Sequence, residues 1–251
     1  MPLDTGKIRE LRPQNELYYF ASIGSTMVEA ARLALSGAPH GAVVLADEQT
    51  AGMGRLGRSW QSQAELGIYC SILLRLPLPP SGLPIASLVL GLATAEAIQK
   101  STQLACDLRW PNDVLINERK VAGILTHLVE TCIVAGIGIN VNHTSFSADL
   151  RTPATSLRIE SGGNIQSRED LVVNLLESLD AFCLMLETQG PESILRAFTS
   201  ASSYAVNRRV IIEENGLKGV TAGLDGNGFL LVRFDSGHVE RLAAGGVRPD
   251  Y

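Results

Sequence analysis

Gln49-Thr-Ala-Gly-Met-Gly-Arg-Leu-Gly-Arg-Ser-Trp60 sets three glycines, two arginines and a tryptophan in one polar stretch between two apolar runs. Glycine lets backbone N–H groups approach a ligand, and arginine adds a fixed positive charge, so the composition suits an anion. Gly52-x-Gly54-x-x-Gly57 also matches the dinucleotide fingerprint, and the strand-like run Ala42-Val-Val-Leu-Ala46 precedes it. That fingerprint needs a helix opening inside the motif and an acidic residue about 20 positions further on. Arg58-Ser-Trp-Gln-Ser-Gln63 has no helical apolar period, and after Glu65 the next acidic residue is Glu96. The dinucleotide fold is therefore rejected. What remains is a loop rich in anion donors, expected to be mobile or ordered by its ligand.

Outward from the loop, Leu17-Tyr-Tyr-Phe-Ala-Ser-Ile23 reads as a strand, and Ser25 is placed to cap a helix from Thr26 to about Leu35. Gly67–Leu74 reads as a strand and Ile85–Lys100 as a core helix. Arg109-Trp-Pro-Asn-Asp113 reads as a turn. Val114–Asn117, Lys120–Leu128 and Thr131–Gly136 read as strands, the last running into Gly138-Ile-Asn140. Ser167-Arg-Glu-Asp170 opens a helix to about Glu187 in capping-box fashion, and a second helix follows from Pro191 to about Ala201. Beyond residue 205 the texture changes to short strands, Val210–Glu213, Lys218–Leu224, Gly228–Phe234 and His238–Leu242, split by glycine turns. The expected order is an α+β domain over residues 1–204 and a small β barrel over residues 205–251.

The 251 residues suffice for one large core or two domains, and 45% hydrophobic content fits a globular chain. A net charge of -5 argues against bulk nucleic-acid binding, which needs a basic surface. Cys70, Cys106, Cys132 and Cys183 lie in apolar runs without metal-ligand spacing, so they read as free thiols. Met1–Asn15 is too polar for a signal peptide, and no apolar run is read as reaching transmembrane length, so a soluble cytoplasmic protein is expected.

Four polar patches fall at strand ends, where sites collect on loops. They are Ser25-Thr26, the glycine–arginine loop, Arg109–Asp113 with Lys120, and Gly136-Ile-Gly-Ile-Asn140. Their order resembles the catalytic domain of the biotin–protein ligases. In this chain the motifs read Ser25-Thr26-Met27, Gly52-Met53-Gly54-Arg55-Leu56-Gly57-Arg58-Ser59-Trp60, Arg109-Trp110-Pro111-Asn112-Asp113, Lys120-Val121-Ala122-Gly123-Ile124-Leu125 and Gly136-Ile137-Gly138-Ile139-Asn140. The resemblance covers residues 17–248.

It implies a class II synthetase-like mixed sheet with flanking helices, followed by an SH3-like barrel. It also implies a two-step reaction, in which biotin and MgATP give biotinyl-5′-AMP and a lysine of a biotin carrier domain then takes the acyl group. Carried over residue by residue, Lys120, Arg55 and Asp113 take the catalytic roles. Ser25, Thr26, Met27, Gln49, Gly52, Met53, Gly54 and Gly123, with Arg55 and Lys120, form the biotin site. Arg58, Trp60, Arg109, Asn112 and Asn140, with the same Arg55 and Lys120, hold ATP, and Asp113 serves Mg²⁺. For Ser25 a plain helix cap, and for Trp60 a core tryptophan, stay open as alternatives. His127, in a predicted strand, is read as structural.

Three positions depart from the family pattern: Met27 stands for asparagine, Met53 for arginine and Arg109 for lysine. They leave affinity and acid choice open. About 16 residues precede the first strand, so a ligase without a DNA-binding repressor segment is expected, acting off the membrane. A homodimer is left open. The competing readings are a lipoate or octanoate ligase of the same architecture and a degenerate, non-catalytic biotin-binding protein.

Overall fold

Val43–Ala46 (β2) and Gly67–Leu74 (β3), the apolar runs on either side of the glycine-rich loop, pair antiparallel, Val43 opposite Ile72 and Ala46 opposite Tyr69. They belong to a seven-stranded sheet with Leu17–Phe20 (β1), Asp107–Arg109 (β4), Asp113–Ile116 (β5), Arg119–Val129 (β6) and Cys132–Asn140 (β7). The spatial order is β1-β2-β3-β7-β6-β5-β4, with only β1 and β2 parallel. This is a computed structural model, and it describes residues 1–250.

Both faces of the sheet are covered, which is why β2 and β3 read as unbroken apolar runs. Val43 and Leu45 point into the main core, with Leu83–Thr102 (α3) and Arg168–Gln189 (α5) packed there. Val44 points the other way, against Met27, Ala30, Leu33 and Ala34 of Thr26–Leu35 (α2). Pro191–Ala201 (α6) packs beside α3 and α5.

The sequence reading needs correction in five places in this fold, the last in the second sheet. The stretch Pro80–Thr102 is long and apolar enough to cross a membrane, with mean hydropathy 1.5, contrary to the reading of no such run; 67% of that window is buried inside the protein. The N-terminal residues form a short helix, Thr5–Leu11 (now α1), capped by Asp4 and anchored by Lys7 on Asp170 and Arg12 on Asp180. Its few apolar residues hid it: within the helix only Ile8 is buried. A single turn, Leu157–Glu160 (α4), was also not anticipated. In addition, Ser25 stands at the N-cap position of α2, but its side chain makes no capping bond. Gln49 Oε1 accepts from Thr26 N at 2.8 Å instead.

Val206–Ile212 (β8), Lys218–Leu224 (β9), Leu230–Arg233 (β10), Val239–Leu242 (β11) and Val247–Pro249 (β12) form a separate antiparallel sheet ordered β11-β10-β9-β8-β12. β12 was missed because three residues give no alternation to read. Tyr251, the last residue of the expected second unit, lies outside the described residues. This sheet meets the first where Trp110 Nε1 donates to Gly228 O at 2.9 Å.

Candidate active site

The glycine–arginine loop closes on itself. Trp60 N donates to Gly52 O at 2.9 Å, Gly54 N donates to Arg58 O at 2.7 Å, and Met53 bridges Ser59. Gly52 is required by this closeness, since a Cβ there would stand 2.4 Å from Trp60 O. The loop is thus folded as a small hairpin through its own backbone.

The opposite wall is the sheet. Gly123 of β6 pairs with Gly138 of β7, and the two missing side chains leave a trough. The indole of Trp60 lies in it: a Cβ on Gly138 would come within 2.4 Å of the ring, and one on Gly123 within 2.9 Å. Lys120 Nζ sits 5.4 Å from the centroid of the same ring, within cation–π range. Lys120 is pinned on both sides: its N donates to Pro153 O and its O accepts from Thr155 N. Between β5 and β6 the register skips Val121, a bulge of the kind that re-aims side chains beside sites.

Asp113 opens β5, opposite Gly123. Its carboxylate holds Lys120 Nζ at 2.5 Å and Arg109 at 2.6 Å. Burial alone would raise its pKa, but the two cations and their hydrogen bonds outweigh that and hold it below the usual carboxylate range. Arg109 is buried, donates also to Thr152 at 3.3 Å, and lies 6.0 Å from the Tyr204 ring. Arg55 reaches from the loop to Asn112 Oδ1 at 3.1 Å and to Gly245 O, in the connection between β11 and β12, at 2.9 Å. Asn112 is itself fixed, donating to Ile124 O at 3.0 Å after the cis Trp110–Pro111 bond. Burial lowers the Arg55 pKa, and Arg55 remains a cation.

Three cavities meet here. The first, about 50 Å³, is lined by Thr26, Met27, Gln49, Met53, Gly54, Arg55, Trp60, Asn112, Lys120 and Gly123 among others. The second, about 510 Å³, takes in Arg58, Trp60, Lys120, Asn140, His143 and Arg151. The third, about 100 Å³, holds Arg55, Arg58, Trp60, Arg109, Asn112, Asp113, Lys120 and Glu213. Trp60 and Lys120 line all three.

The structure therefore gathers most of the residues singled out from sequence. Ser25 and Gly52 are buried but do not line the cavities. The buried Ser25 hydroxyl has no hydrogen-bond partner within the protein. Asn140 is buried with its Nδ2 on Thr155 O at 3.0 Å. Trp60 Nε1 is buried and also without a partner. His127 is exposed on β6 and apart from the site.

Sequence reasoning missed Ser71, whose Oγ donates to Thr26 Oγ1 at 2.9 Å. Thr26 Oγ1 in turn donates to Gln49 Oε1 at 3.0 Å, and Gln49 Nε2 donates to Ser62 Oγ at 2.9 Å. A serine fully buried in the apolar run Gly67–Leu74 was the available signal. It also missed His143, whose pKa burial lowers to about 4, and Glu213.

Comparison with known proteins gives the family and the fold. The profile of the Biotin/lipoate A/B protein ligase family matches residues 19–143. Over 88% of this chain and 70% of its own length, the bifunctional ligase/repressor BirA of Bacillus spizizenii is 35% identical. The biotin–[acetyl-CoA-carboxylase] ligase of Mycobacterium tuberculosis is 32% identical over 91% of this chain and 89% of its own. Biotin protein ligase from Aquifex aeolicus, solved in complex with biotin and ATP, superposes with a TM-score of 0.80 at 30% identity, covering 93% of this chain and 97% of that one. The chain belongs to the Biotin/lipoate A/B protein ligase family.

Proposed function

We propose that this protein is an ATP-dependent biotin–protein ligase, which joins biotin to AMP and passes the biotinyl group to a lysine of a carrier domain. The observation that carries the reading is the position of Lys120, at the meeting point of three cavities. An acid, a nucleotide and an incoming amine must share one reacting centre, and such a junction supplies it.

In the first step the biotin carboxylate attacks the α-phosphorus. A C–O–P mixed anhydride forms, and the bond to pyrophosphate breaks. Two anions meet, so cations must offset their repulsion and the charge that builds at phosphorus. Lys120 and Arg55 are placed for this, Arg55 lining the first and third cavities with Lys120. Thr26 and Gln49, which line the first cavity, offer polar groups for the head of the acid, with the buried Ser25 next to Thr26 in the chain. Met53, Gly54 and Gly123 line the same cavity, and Gly52 pairs with Trp60 within the loop. Met27 packs against Gly136, so the head meets a thioether where the family pattern has an amide.

Trp60, Asn140 and Arg58 line the large second cavity, which suits the nucleotide, and Arg109 and Asn112 line the third. In the second step the carrier lysine attacks the acyl carbon, the amide forms and AMP leaves.

Magnesium enters this reading with the triphosphate. Asp113 does not fit a resident metal site: both its oxygens are held by Lys120 and Arg109, and no cluster of three metal-binding side chains exists among the described residues. Asp113 instead orients the two cations. The two units are read as residues 1–204, catalytic, and residues 205–251, SH3-like and helping to hold ATP or the carrier.

The test is mixing protein, biotin, MgATP and a carrier domain, and reading the mass of biotinylated product. Lys120→Ala should abolish biotin-dependent pyrophosphate exchange with the fold intact by circular dichroism. Adenylate formed at the wild-type rate would refute the assignment. The same exchange run with lipoate or octanoate tells the acids apart.

A further inference from the structure

Glu213 follows β8 in the second sheet, yet its carboxylate reaches the site. It is 12% exposed and lines the third cavity. Its Oε2 lies 3.4 Å from Arg151 and 3.7 Å from Arg58. Arg151 also donates to its backbone oxygen at 3.2 Å. Its own N–H donates to Gly246 O at 2.9 Å, which seats it against β12.

The two arginines come from different parts of the first unit. Arg58 belongs to the glycine–arginine loop between β2 and β3, and Arg151 to the segment between β7 and α4. Both line the 510 Å³ cavity. One carboxylate from a separate sheet thus joins the two segments that flank that cavity. Pairs this loose, with half-exposed arginines, add little to global stability. They can still fix how far apart two loops stand, and fixing loops in advance lowers the ordering cost of binding.

We propose that Glu213 is a positioning residue for the nucleotide step: it holds Arg58 and Arg151, and with them both loops, in the arrangement that receives ATP. The proposal rests on the ligase reading above. It gives the second sheet a stated task, which its sequence does not display.

The experiment compares the full-length wild type with Glu213→Gln in biotin-dependent ATP–pyrophosphate exchange. The KM for ATP should rise about tenfold, while kcat, the KM for biotin and the thermal midpoint stay at wild-type values. In an Arg58→Gln/Arg151→Gln background the same change should add nothing further, because the partners are already gone. An unchanged or lowered KM for ATP in Glu213→Gln, or a full additive effect in that background, would overturn the proposal. If the wild type shows no exchange with biotin, the ligase reading is what fails. The clamp is then read by trypsin, which should cut faster after Arg58 and Arg151 in Glu213→Gln than in wild type; equal rates would sink it.

Discussion

The two walls of the first cavity hold their residues by different means. The sheet wall, from β5 to β7, places Asp113, Gly123 and Gly138 side by side through backbone register. The loop wall, residues 49–60, has only its base on the backbone of Ile23 and Gly24; its far part is positioned by side-chain bonds, Arg55 to Asn112 and Gly245 and Arg58 to Glu213, with Gln49 to Thr26 at the base. Glycine serves both, for opposite reasons. On the sheet it removes a side chain so that Trp60 and Met27 can lie flat. At Gly57, with φ +72° and open space around it, it supplies only a backbone shape. A ladder fixes atoms whatever the side chains do; a loop is only as fixed as its polar partners.

Charge tests the sheet wall hardest. Asp113→Asn leaves Lys120 and Arg109 without their shared anion in a largely buried place, and should cost about 3 kcal/mol in urea unfolding as well as adenylation. Because the folded pKa is depressed, the stabilisation is complete above the ordinary carboxylate pKa of about 3.9 and disappears as pH falls through the lower folded value. A loss in Asp113→Asn no larger than that of an exposed pair would remove the claim that register holds this cluster.

His143 carries the next effect. Its imidazole is buried neutral with a pKa of about 4. Between about 6.5 and 4 the unfolded chain binds a proton that the folded one refuses, so stability falls as pH falls. The difference at pH 5 is about 2 kcal/mol, visible in denaturant midpoints at pH 7 and 5 and absent in His143→Asn.

Gly138→Ala forces a methyl into the Trp60 ring and should cost about 1–3 kcal/mol, with a raised KM for ATP as the indole leaves its trough. Gly57→Ala meets no neighbour and should cost only about 1 kcal/mol of backbone strain. Should the two alanines prove equally costly in unfolding and equally harmful in exchange assays, the contrast between the walls collapses.

Much of this was legible in the chain. The strands around the loop and the helices α2, α3, α5 and α6 followed from apolar runs, apolar period and turn residues, which are local signals; the order of motifs carried the family resemblance. α1 and β12 were not, since each is too short to show a period and is held by distant partners. The capping of α2 was misread for a related reason: Ser25 is the right residue in the right place, but Gln49, 23 positions beyond Thr26, takes the Thr26 amide instead. Ser71 and His143 look like ordinary members of apolar and polar runs until their neighbours are known.

By itself the sequence determined most of the strands and helices, because spacing of two and of 3.6 is written in the chain, while the order of its motifs carried the family resemblance. Only the tertiary structure decided that Gly123 and Gly138 stand opposite each other, that Lys120 falls at the junction of three cavities, and that Glu213 reaches the arginines from another sheet. Register and sheet docking are contacts between residues far apart in the chain. They are set by how whole elements bury their apolar faces, a quantity no local window contains.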